Sequence, residues 1–278
     1  RRGSNSGVST DTGVTLGGTA LLIVDPQMDF HEGGSLAVPG ATADSKRIAQ
    51  FIAQNANCLD EVVVTLDSHH SMDIAHPYFW IDRNGSHPTP FTKITTNDVQ
   101  EGRWTPVEEE YQEHCVEYTK KLEEGGRFTL CIWPVHCLIG TLGHTIHPVI
   151  NEALQEWTVR RRKKVTYVLK GQNTLSEHYS CFRAEVPVPG DDANETGRLL
   201  LARLCAMDRV IVCGQAASHC VNHSATDLAK AWKLTAGSNE EKARRRMANV
   251  IVLKDCTSSV PGFEQETAEF YNSMEAMG

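Results

Sequence analysis

No stretch of the sequence approaches the ~18 consecutive apolar residues that a membrane-spanning helix needs, so a membrane protein is not expected. An excess of positive charge is missing too. The 27 Lys and Arg stand against 35 Asp and Glu, a formal net charge of −8, which lacks the electrostatic footprint of a general nucleic-acid binder. The one basic run, Arg160-Arg-Arg-Lys-Lys164, directly precedes an apolar segment and reads as a solvated connection from helix to strand. The nine cysteines include no Cys-x-x-Cys pair, and no secretory signal is legible, so they read as reduced thiols of a cytoplasmic protein rather than a disulfide framework. Internal repeats and low-complexity tracts are also lacking. With 40% hydrophobic residues over 278 positions, the chain can bury a sizeable core.

What is present is an alternation of short apolar runs with longer amphipathic ones. Thr19-Ala-Leu-Leu-Ile-Val-Asp25, Val62 to Leu66, Val165 to Leu169, Val210 to Cys213 and Val250 to Leu253 are too short for buried helices and read as buried strands. Helical spacing marks Thr42 to Cys58, a region from Thr145 to Trp157 with Pro148 near its start, Glu195 to Met207, Val221 to Leu234 and Phe263 to Met277. Unbroken apolar strands alternating with helices predict an α/β fold, three-layer α-β-α, with a doubly wound, mostly parallel sheet. Residues 1–18 read as a flexible leader and 19–278 as one domain. From about 77 to 127, Pro, Gly and aromatic punctuation gives way to a Glu-rich segment, predicting an insertion that is partly helical near Val107 to Leu122, since a bare loop of that length is improbable.

In such sheets ligands bind at the carboxyl ends of the strands, where Asp25, Asp67, Lys170 and the turn holding Cys220 all fall. Cys220 opens a predicted helix, where unpaired N–H groups and the dipole favour a thiolate. A cysteine is more commonly an inert buried thiol, and the turn alone does not overturn that reading. The convergence of a carboxylate and an ammonium on it favours chemistry.

Six ordered segments carry a resemblance: Leu22-Ile-Val-Asp25-Pro-Gln27-Met-Asp29-Phe30, Leu66-Asp67-Ser-His69, Trp133-Pro-Val-His136-Cys137, Lys170-Gly171, Tyr179-Ser-Cys-Phe182 and Gly214-Gln-Ala216-Ala-Ser-His-Cys220-Val221. Together they resemble the nicotinamidase branch of the isochorismatase-like cysteine hydrolases, across Thr19 to Asp255 apart from the insertion. The resemblance implies a triad of Cys220 as nucleophile, Asp25 as base and Lys170 as electrostatic partner. It also implies a non-proline cis peptide at Gln215–Ala216, with the N–H groups of Ala216 and Cys220 as oxyanion hole. Asp67, His69 and His136 would hold a divalent metal ion, zinc being the expected one, with His70, His76 and His219 ranked lower. Phe30 and Trp133 would flank the substrate ring, and Tyr179 would join them. The expected activity is metal-assisted release of ammonia from nicotinamide or a similar small amide through a Cys220 thioester, in a homo-oligomer without nucleic-acid or membrane partners. The alternatives are a related hydrolase of another amide or ureido substrate, and a non-catalytic ligand-binding descendant that uses the insertion as a partner surface.

Overall fold

Along the strand Thr19–Val24, successive side chains point to opposite sides, as the two-residue period of extended chain requires. Ala20, Leu22 and Val24 enter one apolar core, and Leu21 and Ile23 enter another. A computed structural model, which describes residues 17–125, 128–235 and 237–277, accounts for both. Five strands pair in the order Thr166–Lys170, Glu61–Asp67, Thr19–Val24, Arg209–Gly214, Val250–Val252, all parallel. Helices Ala41–Asn55 and Pro148–Arg161 cover one face through Ile48, Ile52, Ile150, Leu154 and Trp157. Helices Ala193–Cys205, Cys220–Thr235 and Glu264–Met277 cover the other through Leu200, Leu204, Val221, Leu228, Trp232 and Phe270. This is the three-layer, doubly wound architecture that the apolar runs predict. Each fully buried Leu or Ile of the central strand contributes roughly 1.5–3 kcal/mol.

The strand order reverses between Thr19–Val24 and Arg209–Gly214, and a crevice opens beyond their carboxyl ends. Gly214 allows the close approach there. It has φ +109°, and a Cβ at this position would lie 2.0 Å from the Val24 carbonyl oxygen, which accepts the Gln215 N–H at 2.8 Å. The turn that precedes Cys220 is thereby drawn over Asp25.

Some boundaries differ from the sequence reading. The helix expected from Thr145 starts at Pro148, which sits in its first turn, where a missing N–H is no loss. The apolar run Phe128 to Trp133 yields only the two-residue strand Leu130–Cys131, paired antiparallel with Lys93–Ile94. Within the insertion, the helical segment lies later than expected, at Gln112–Glu124. The short helix Thr96–Gln100 is closed by a capping box between Thr95 and Asp98. The insertion and its flanks share a small core of their own, in which Ile74, Trp80, Ile94, Val99, Tyr118 and Leu122 meet. The basic run connects helix to strand as expected but is not merely solvated: Arg161 pairs with Asp60 at 3.2 Å and Lys163 donates to the Asp60 carbonyl. Of the expected leader, residues 1–16 lie outside the described residues. No described helix is long and apolar enough to cross a membrane.

Candidate active site and metal centre

Lys170, the last residue of its strand and buried, is the hub of the crevice. Its Nζ lies 2.9 Å from Asp25 Oδ2 and 2.8 Å from Asp67 Oδ1. It also donates to the His178 carbonyl at 2.9 Å and approaches Cys220 Sγ at 3.4 Å. Asp25, entirely buried, has φ +43°, a left-handed conformation that costs a non-glycine residue about 1–3 kcal/mol and is tolerated best by Asp and Asn. Thr65 holds it there, accepting the Asp25 N–H at 3.0 Å and donating its hydroxyl to Oδ1 at 2.5 Å. Burial raises the Asp25 carboxyl above the usual range and Lys170 opposes the rise. Lys170 is raised well above its ordinary value, because Asp25 and Asp67 outweigh the effect of burial.

Cys220 is the first residue of its helix. Burial pushes its thiol well above the ordinary range, Lys170 pulls it down, and Asp25 and Asp67 push it up. Burial and the two carboxylates thus oppose the thiolate that the helix N-terminus and Lys170 favour. The Gln215–Ala216 peptide is cis, as the resemblance implies. Above the sulfur lies a pocket whose walls include Phe30, Trp133, Tyr179, Ala216 and His219. Every ring-flanking residue expected from the sequence is thus brought to one cavity. Trp133 Nε1 donates to the Tyr179 hydroxyl at 2.9 Å, which satisfies both buried polar tips.

Across the pocket floor, the Nε2 atoms of His69 and His136 lie 3.1 and 3.3 Å from the same oxygen, Asp67 Oδ2. The other ring nitrogen of each is also engaged: His69 Nδ1 meets Asp73 Oδ2 at 2.9 Å and His136 Nδ1 meets the Pro134 carbonyl at 2.8 Å. Such outer partners fix imidazole orientation in metal sites. One carboxylate and two convergent imidazoles suit a divalent ion. Burial opposes the charge on Asp67, but His69 and Lys170 hold its carboxyl well below the usual range.

Two residues join this cluster that the sequence reading ranked low or missed. His76 Nε2 lies 3.2 Å from His136 Nδ1, and His69, His76 and His136 bring their ligand atoms within 4.8 Å of one another. Glu177 makes a comparable group with Asp67 and His69, and its carboxyl is raised to about 7 by burial. A loop histidine and a loop glutamate carry no periodic signal, and only proximity to the motif Tyr179-Ser-Cys-Phe182 hinted at Glu177. Of the other lower-ranked histidines, His70 is exposed, and His219 stands in the pocket wall against Trp133.

Fold and site together define a hydrolase of amide carbon–nitrogen bonds built on the isochorismatase-like α/β fold. No family model matches the chain. A nicotinamidase/pyrazinamidase of Mycobacterium tuberculosis is 31% identical over 211 residues, 76% of this chain and 78% of that protein. The chain belongs to the nicotinamidase/pyrazinamidase family. Among solved structures, a yeast nicotinamidase bound to the inhibitor nicotinaldehyde superposes with a TM-score of 0.59 at 20% identity, covering 93% of this chain and 96% of that one. A Pyrococcus horikoshii pyrazinamidase in complex with zinc gives 0.52 at 18% identity, covering 94% and 96%. At these identities the structural matches speak for the fold alone.

Proposed function

We propose that this protein releases ammonia from nicotinamide or a closely similar heteroaromatic amide through a thioester on Cys220. The observation that carries the proposal is the contact of one buried ammonium, Lys170 Nζ, with Asp25, Asp67 and the Cys220 sulfur at once. Asp25 takes the Cys220 proton as the sulfur attacks the amide carbon, and a carbon–sulfur bond forms while the carbonyl oxygen gains negative charge. The N–H groups of Ala216 and Cys220 receive that charge. Asp25 then passes its proton to the amide nitrogen, the carbon–nitrogen bond breaks, and ammonia leaves. Water gives a proton to Asp25 and adds to the thioester, after which the carbon–sulfur bond breaks and the thiol is restored along with the carboxylic acid. Lys170 keeps both carboxylates and the developing thiolate together in a site without bulk water.

Asp67, His69 and His136, with His76 beside them, would hold the metal ion, zinc being the candidate. When bound, the ion supplies a Lewis-acid contact for a ring nitrogen. Phe30, Trp133 and Tyr179 bound the ring. Ammonia release from nicotinamide by wild type and by Cys220→Ala tests the reading. The variant should retain its fold and lose turnover, and wild-type-like release from it would refute the mechanism.

A further inference from the structure

The helix Ala41–Asn55 covers the face of the sheet opposite the Cys220–Thr235 helix, yet one of its side chains reaches the turn that leads to Cys220. Asp44, in the first turn of that helix, is 1% exposed. Its Oδ2 accepts the Gln215 side chain, through Nε2, at 3.0 Å and the Ser258 hydroxyl at 2.7 Å. Its Oδ1 pairs with Arg47 at 2.5 Å. We propose that Asp44 is a positioning residue for the reaction: through Gln215 and Ser258 it aims the Ala216 N–H at the oxygen of the tetrahedral intermediate. The inference rests on the reading given under Proposed function.

A carboxylate this buried is costly unless it is paired and hydrogen-bonded, and two of the three partners of Asp44 flank one peptide, the one between Gln215 and Ala216. On the near side, Gln215 gives its backbone N–H to the Val24 carbonyl at 2.8 Å while its buried side chain runs to Asp44. Main chain and side chain of Gln215 are therefore both tied. On the far side, Ala217 gives its N–H to the Ser258 carbonyl at 2.8 Å. Ser258 also gives its own N–H to Gln215 Oε1 at 3.4 Å, which closes a ring of contacts among Asp44, Gln215 and Ser258. The Ala216 N–H thus sits between two residues whose N–H groups are spent elsewhere, and both are held, one directly and one through Ser258, by the same carboxylate oxygen. The carboxylate is itself fixed from below, because Glu32 accepts the N–H groups of Gly40 and Thr42 at the start of its helix.

A donor aimed at developing charge is effective because it is in place before the charge appears, and a misplacement of about 1 Å caused by a distant change can cost about 100-fold in rate. Asp44 stands outside the walls of the catalytic pocket. Its loss should therefore spare the binding of the ring and the chemistry of the thiol, and fall on the step in which the carbonyl oxygen gains charge.

The test compares full-length, zinc-supplemented wild type with Asp44→Ala and Asp44→Asn. In Asp44→Ala, kcat for nicotinamide should fall about ten- to hundredfold, while the inhibition constant of 3-methylpyridine, which has the ring but no carbonyl, stays within about threefold. Pyridine-3-carboxaldehyde reads the donor itself: the Cys220 sulfur bonds to its carbonyl carbon, the carbon–oxygen double bond becomes single, and the thiol proton passes to that oxygen. Its affinity should fall about tenfold or more. Asp44→Asn keeps an acceptor oxygen for Gln215 and Ser258 and should recover most of both losses. Gln215→Leu makes the same cut from the other end, so it gives the same split of effects even where Asp44→Ala does not fold, and the double variant should be no slower than either single one. Unchanged kcat in Asp44→Ala or Gln215→Leu, a parallel loss of 3-methylpyridine affinity, or no recovery in Asp44→Asn would each overturn the proposal. Wild type that releases no ammonia from nicotinamide would overturn the proposed function and this inference with it, whereas an active wild type with unaltered variants overturns this inference alone.

Discussion

Gln27 and Asp67 are joined through both polar groups of one residue's backbone. The Gln27 side chain accepts the Asp67 N–H with Oε1 and donates Nε2 to the Asp67 carbonyl, each at 2.7 Å. A side-chain amide thus does what a neighbouring strand would do, two residues beyond Asp25, and welds the end of the Asp25 strand to the end of the Asp67 strand. Gln27→Met should strand a buried N–H and a buried carbonyl at a cost of about 1–3 kcal/mol each, and release Asp67 from its place in the cluster. Urea unfolding reads the first effect. Zinc affinity, expected to fall about ten- to hundredfold, reads the second. Gln27→Glu can accept the N–H but cannot donate, and should recover only part of each loss. Full metal affinity in Gln27→Met would show that Asp67 needs no such support.

Lys170→Met removes the ammonium that two buried carboxylates and the thiol share. Breaking a buried ion pair from one side costs about 3–5 kcal/mol, measurable in the unfolding midpoint at neutral pH. Lys170 lowers the Cys220 thiol, so iodoacetamide alkylation of the variant should shift to higher pH. An unmoved alkylation profile would separate Lys170 from the sulfur's acidity.

His136→Ala leaves Asp67 with one fewer convergent imidazole. Zinc retained after dialysis should fall by about two orders of magnitude, while alkylation of Cys220 stays within about twofold, because the sulfur's nearest cation is Lys170. Elemental analysis paired with alkylation rates distinguishes the two halves. Equal zinc content in variant and wild type would transfer the site to His69 and His76.

His178 and His219 predict the direction of acid lability. Burial lowers them to about 4 and about 3 in the folded protein, from an ordinary 6.5. Unfolded chain therefore binds protons first as pH falls, so the stability these residues contribute is whole above 6.5 and is lost progressively below it, down to their folded values. His219→Phe should flatten the slope of unfolding free energy between pH 6 and 4 by up to about 1.4 kcal/mol per pH unit, one proton's worth. A slope unchanged by the substitution would place the lability elsewhere.

The strand ends were legible because Asp25, Asp67 and Lys170 each close an apolar run too short to be anything but a buried strand, and parallel sheets gather such ends. Cys220 was legible for the complementary reason: a small-residue turn between a strand and a helix. His76 was not, since its place in the cluster depends on the path of a loop without periodicity. Helix Glu240–Met247 escaped notice because only Ala243 and Met247 are buried in an otherwise charged segment. The core of the insertion was hidden in another way: Ile74, Ile94 and Tyr118 meet only after the chain has turned back on itself. Gln27 stood inside a recognised motif, but nothing in its residue type announces which backbone it will bind.

The order of the sheet also bears on how the protein comes into being. Its central strand is the first one made, and one of that strand's two neighbours is the fourth, so Asp25 waits without its sulfur partner while most of the chain is still being translated. Cys220 follows Arg209–Gly214, and the Cys220–Thr235 helix that seats it is synthesised later still. Asp25, Asp67 and Lys170 are thus all synthesised before the sulfur they surround. Reactivity arrives late, after the acidic and basic groups that govern it have been made, and a chain truncated before the fourth strand would lack the nucleophile altogether.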